Sequence, residues 1–144
     1  MVAEPYDDPE IRNTDLIIRR VNPDQHLIFD ENTKRRRISS KLFSPSSGPR
    51  GGMSVDIPKL MERDGVDVRK FVTNPTYSGS VCFFAGYSRN VGLRVGRDPI
   101  EGNPYHGEVW GSENSSNRFT RSQKRALMEA SRWFVELEGV DIGG

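Results

Sequence analysis

Cysteine is almost absent from this 144-residue sequence. The single thiol, Cys82, excludes an internal disulfide framework and a four-cysteine zinc site. Histidine is nearly as scarce. With only His26 and His106, no all-protein catalytic metal centre is expected, and no cofactor is predicted. Neither sign of charge dominates: 21 Lys and Arg stand against 20 Asp and Glu, a net charge of +1. That balance excludes a strongly basic nucleic-acid coat and an acidic tail protein. No run approaches the roughly twenty consecutive apolar residues of a membrane span, so no membrane partner is expected. The first thirteen residues have no apolar core and carry several acids, so they do not read as a secretion signal. A reduced, cytoplasmic setting is the expectation. Hydrophobic residues make up 34%, and the mean hydropathy is −0.66. Even so, a chain of this length can bury roughly two-thirds of its unfolded surface as one domain, without a staple.

What is present is a series of short apolar segments with clear punctuation. Residues 1–14 are polar, hold Pro5 and Pro9, and read as an arm or a surface strap. Residues 15–140 read as a single domain. Strands are predicted at 15–21, ended by Asn22-Pro23, at 27–29, at 38–43, at 80–85, at 93–95 and at 105–110. A charged turn fills 30–37. The Pro-, Gly- and Ser-rich stretch 44–52 reads as a mobile loop, open to proteolysis after Arg50. A short helix is predicted over 57–63, with Asp56 as its cap and Pro58 in the first turn, and Gly65 stops it. Residues 66–72 fit an alternating strand and a helical turn equally, and 86–92 read as one helical turn. The clearest element is the last. Thr120 and Gln123 form a capping box. Ala126, Leu127, Ala130, Trp133, Phe134 and Leu137 then make an apolar stripe that predicts a helix over 121–138, ended by Gly139. Trp133 and Phe134 are expected to be buried beneath it. The fold class is α+β: a small, mostly antiparallel sheet of short strands with one long C-terminal helix and one or two short ones.

Several motifs follow one another in a fixed order. They are Arg19-Arg20-Val21 with Pro23, Ser39-Ser40 with Phe43, and Met53-Ser54-Val55-Asp56. Asp98-Pro99 then precedes Asn103-Pro104-Tyr105-His106, and the basic predicted C-terminal helix carries Trp133. Over residues 16–135 this series resembles a group of small bacterial proteins with no established activity. The resemblance implies a bacterial origin and an order of motifs, not a reaction.

The polar residues within predicted strands are the candidate site. Arg19 and Arg20 are adjacent, so they point to opposite faces. Each is either a surface ion-pair partner or a fork for a phosphate, which a planar guanidinium suits. Ser39 and Ser40 lie on an edge strand facing water, or supply a hydroxyl to a ribose or phosphate oxygen. Ser54 is a helix cap or a third ligand hydroxyl. His106 and Glu108 share a face of one strand and could serve as a base and its orienting carboxylate, or as a solvated pair. Cys82, in an apolar setting, reads as core filler. Lys34, Arg35, Arg36 and Arg37, with Lys41 and Arg50, form the one basic concentration.

Two functions follow. The first is a pocket for a phosphate-bearing ligand, a nucleotide or dinucleotide. The order of an Arg, a Ser and a Glu on successive strands resembles ADP-ribosyltransferases. That resemblance implies that Arg19 holds the dinucleotide phosphate, Ser39 supports the sugar and Glu108 directs transfer. His106 stands where a second acid would be two residues before Glu108, and the spacing is short. The alternative is a protein-interaction or RNA-interaction module without chemistry. It would use Tyr77, Tyr87 and Tyr105 with Arg50, Arg89 and Arg97. A protein partner is favoured over nucleic acid, because no sheet-platform RNA-binding signature is present. Convergence of the arginines, the serines and His106 on one concavity separates the two readings.

Overall fold

Short β-branched segments and their breakers set the strand ends in the computed structural model, which describes residues 4–46, 51–112 and 118–143. The apolar segment Leu16–Val21 forms β1 and stops where Asn22 caps the single turn α1 (Pro23–His26), its side chain accepting the Asp24 amide hydrogen at 3.0 Å. β2 (Leu27–Asp30) and β3 (Arg35–Ile38) make a hairpin registered from Leu27↔Ile38 to Asp30↔Arg35. β4 (Met53–Asp56) leads into α2 (Pro58–Arg63) and α3 (Val68–Val72). β5 (Gly79–Phe84) runs directly into α4 (Ala85–Asn90). β6 (Arg94–Arg97) and β7 (His106–Trp110) form a second hairpin. The chain then forms α5 (Arg121–Ala130), β8 (Arg132–Val135) and the two-residue β9 (Val140–Asp141).

Among the described residues, these strands build a six-stranded sheet in the order β6-β7-β4-β1-β5-β8. Its pairings are antiparallel. A smaller sheet, β2-β3-β9, has β9 parallel to β3. The architecture is therefore mixed, with a mostly antiparallel main sheet. β1 lies inside the sheet between β4 and β5, and Ile17, Ile18, Val81 and Phe83 are buried there with Phe43, Met53, Met61 and Leu127. Among the described residues, no helix is long and apolar enough to cross a membrane.

The N-terminal segment is a strap with structure of its own. Its Ile11 is buried, the Asp8 amide donates to the Val95 carbonyl at 2.8 Å, and the Asp8 carboxylate meets Arg97 at 2.6 Å. Tyr6 packs on Trp110 with ring centroids 5.6 Å apart. Gly96 makes room for both rings: a Cβ there would lie 2.6 Å from Tyr6 and 2.8 Å from Trp110.

Four expectations are corrected. The capping box is present, with Thr120 and Gln123 bonded reciprocally. The helix, however, has 10 residues and ends at Ala130. Ser131 turns to extended backbone and its hydroxyl donates to the Leu127 carbonyl at 2.6 Å. The aromatic and β-branched run that follows satisfies the open edge of β5 as β8, with Val81↔Trp133 in register. Trp133 and Phe134 are accordingly half-buried. Second, the predicted strand over 38–43 ends at Ile38. Ser39 instead caps a 3-10 turn, Ser40–Leu42, its side chain accepting the Lys41 amide hydrogen at 3.2 Å. Third, Asp56 is not a helix cap: it closes β4, and the cap of α2 is Ile57, without a side-chain bond. Fourth, Tyr105 is buried, its hydroxyl donating to Asp64 at 3.0 Å. Residues 47–50 of the loop expected to be mobile, Arg50 among them, lie outside the described residues.

Candidate functional site

Strand alternation should send Arg19 and Arg20 to opposite faces, yet both line one cleft of about 350 Å³. The reason lies in the sheet. β1 and β4 are registered at a single pair, Ile18↔Asp56, and then part. The two arginines bridge the gap that the backbone leaves. Arg19 donates through Nε to the Leu42 carbonyl at 3.0 Å and through Nη1 to the Ser54 carbonyl at 2.9 Å. Arg20 forks onto the Asp56 carboxylate at 2.8 and 3.0 Å, and its guanidinium lies 5.8 Å from the Phe71 ring centroid. Asp56 also accepts from Asn103 Nδ2 at 3.0 Å.

The neighbouring strands supply the other wall. Ser54 and Asp56 on β4 are paired with Glu108 and His106 on β7, so the four side chains share a face. Glu108 is fully buried. It accepts from the Gly52 amide at 3.0 Å and from the Ser54 hydroxyl at 3.1 Å. His106 lines the cleft; its Nδ1 is 2.7 Å from the Asp98 carbonyl, which can only accept, so Nδ1 carries a hydrogen. Its Nε2 faces Glu108 Oε2 at 3.5 Å. Asp98, His106 and Glu108, all buried, place one ligand-type atom each within 4.8 Å of one another. Gln25, His26, Ser46, Tyr77 and Ile100 complete the lining together with Asn103.

Electrostatics make the cleft cationic. Arg19 is 8% exposed, and burial pulls its pKa down to about 10, against the opposing pull of Tyr77, Glu108 and Asp56. It is therefore charged at neutral pH. Its hydrogen-bond partners are two carbonyls, and no carboxylate forms an ion pair with it among the described residues. Asp56 is already committed to Arg20. His26 is neutral at pH 7: burial first, and Arg19 second, lower its pKa to about 4. Its Nδ1 accepts the Asn22 amide hydrogen at 2.9 Å.

Because the folded His26 titrates below its ordinary value of 6.5, the unfolded chain binds the proton more readily. The stability tied to the neutral ring is complete above pH 6.5, is lost as pH falls toward 4, and changes no further below that. The expected loss between pH 7 and 4 is about 2 kcal/mol, discounted for the ring's partial exposure. Urea midpoints at both pH values should show this loss in the wild type and not in His26→Gln.

The structure thus brings Arg19, Arg20, Ser54 and His106 together, with Glu108 behind them. β4 lies between β7 and β1, with Asp56 opposite both His106 and Ile18, and no hydrogen bond or ion pair joins His106 to either arginine among the described residues. Ser39 and Ser40 are elsewhere. Ser39 is buried as a cap, and the exposed Ser40 lies with Arg37, Arg121, Lys124 and Arg125 in a separate groove. Sequence reasoning did not identify Asp56, Asn103, His26 and Tyr77 as cleft residues. Asn103 stood inside the Asn-Pro-Tyr-His motif and was available to it. His26 carried no signal beyond its residue type. The chain matches no protein-family model, no curated protein and no solved structure.

Proposed function

We propose that the cleft binds the phosphate of a nucleotide-type ligand. The observation that carries this reading is Arg19: a buried guanidinium opening into a cleft, charged, held by carbonyls and, among the described residues, in ion-pair contact with no carboxylate. Burying an uncompensated cation is costly, and an anion seated in the cleft removes that cost. Arg19 is also the residue that the transferase resemblance assigns to a phosphate. Ser39 and Glu108 do not face the cleft as that chemistry requires, so the proposal is binding and stops short of group transfer. The alternative, a protein-interaction surface, draws on Phe84 and Tyr87, which are both exposed with ring centroids 6.2 Å apart.

Titration with ADP and with pyrophosphate, in EDTA-containing buffer, tests the proposal by calorimetry and thermal shift. Binding should raise the melting temperature. Arg19→Gln should weaken binding by about 10- to 100-fold, the worth of one or two charged hydrogen bonds. Arg19→Lys keeps the charge and separates loss of the fork from loss of the fold. Absence of any shift with either anion at millimolar concentration overturns the reading and leaves the aromatic surface as the better candidate.

A further inference from the structure

We propose that Asp98, His106 and Glu108 form a buried binding site for one divalent transition-metal ion, reached from the cleft past the His106 imidazole. The site stands on its own residues and does not require the phosphate reading. The hairpin of β6 and β7 builds it. Gly96↔Glu108 and Arg97↔Gly107 are in register, and the Asp98 amide donates to the His106 carbonyl at 2.9 Å. Asp98 thus stands beside His106, with Glu108 two residues along the same strand.

The geometry is that of a prepared ligand set. A metal-binding imidazole usually donates its other N–H to a carbonyl or carboxylate, which fixes the tautomer and aims the lone pair. His106 Nδ1 does this at the Asp98 carbonyl, leaving Nε2 as the ligand atom. Nε2 has no hydrogen bond among the described residues, although His106 is only 8% exposed. Its nearest acidic oxygen, Glu108 Oε2, is 3.5 Å away. Metal–ligand bonds of about 2.0–2.2 Å put neighbouring donor atoms about 3.0–3.5 Å apart, so that gap fits the edge of a coordination shell. Glu108 is held in place by Ser54 and the Gly52 amide, as ligating carboxylates are. Two carboxylates with one imidazole and no thiolate select Zn²⁺, Co²⁺ or Mn²⁺ over Cu⁺, and the imidazole disfavours Mg²⁺ and Ca²⁺. Among the described residues His106 lines the cleft while Asp98 and Glu108 do not, so the ion would be reached past the imidazole.

Equilibrium dialysis of the EDTA-stripped, full-length protein against Co²⁺, in phosphate-free buffer without nucleotide, reads this site separately from the anion cleft. The expected result is one Co²⁺ per chain, with visible absorption that Zn²⁺ displaces. Asp98→Asn, which keeps the side chain's shape, should weaken Co²⁺ by at least about 100-fold, since even an outer-shell change costs 10- to 100-fold. His106→Ala should do the same, while Cys82→Ser should leave binding unchanged. Circular dichroism of Asp98→Asn confirms that its fold persists. Failure of the wild type to take up one Co²⁺, or uptake that Asp98→Asn leaves unaltered, overturns the proposal and makes the trio a buried ion-pair cluster.

Discussion

Trp110→Ala should lower the free energy of unfolding by about 3–5 kcal/mol, read as a shift in urea midpoint at constant slope. Trp110 is fully enclosed at the end of β7, beneath Tyr6 of the strap and over the space that Gly96 leaves. Truncation therefore opens a cavity and also removes the seat on which the strap rests. Its Nε1 has no hydrogen-bond partner among the described residues. Trp110→Phe loses ring volume but also removes this orphaned donor, so it should cost only about 1 kcal/mol. The half-buried Trp133, on the edge strand β8, should cost about 1–2 kcal/mol as Trp133→Ala, because a site open to solvent leaves little cavity. A loss below about 1 kcal/mol for Trp110→Ala would show that neighbouring groups collapse into the space.

Asp56→Ala should be comparably severe, at about 3–5 kcal/mol. The carboxylate is 3% exposed and accepts from both the Arg20 fork and Asn103. Its removal leaves two guanidinium groups in one cleft with, among the described residues, no carboxylate committed to either. Arg20, whose side chain keeps 23% exposure, should tolerate loss of its partner less well than a surface arginine and better than a fully buried one. The double substitution Arg20→Leu with Asp56→Leu should therefore recover more than half of the loss, because it removes the stranded charge as well as the pair. If Asp56→Ala alone costs under about 1 kcal/mol, the pair contributes no more than an exposed salt bridge.

Much of the sheet could be read from local pattern. β1 and β5 carry apolar runs and β7 an alternating pattern, each near Asn-Pro, Gly or Pro breakers, and they fall close to where those breakers put them. Capping at Thr120 was equally local. What escaped was set by partners distant in sequence. Residues 132–135 satisfy helical and strand spacing alike, and the open edge of β5, some fifty residues upstream, decides for the strand. Residues 39–43 read as a strand until the Ser39 side chain bonds its own backbone two residues on. The same division holds at the cleft. Polar residues inside predicted strands pointed to Arg19, Arg20 and His106, which line the cleft, and equally to Ser39 and Ser40, which the 3-10 turn carries away from it. The role of Asp56 was hidden by its equal fitness as a helix cap. A count of two histidines gave no weight to Asp98, which the β6–β7 hairpin carries next to His106.

The central strand has a further consequence for synthesis on the ribosome. β1 ends at Val21, but its two partners begin at Met53 and Gly79. At 5–20 residues per second, the interval before Phe84 is translated is roughly 3–13 s. Throughout that interval Ile17, Ile18 and Val21, later the interior of the sheet, have at most one flank covered. The nascent chain therefore displays a short, sticky apolar strand far longer than a hairpin needs to close. A chaperone that cradles extended apolar peptides would find its target there, and crowded polysomes would bring two such strands from neighbouring ribosomes into reach of each other.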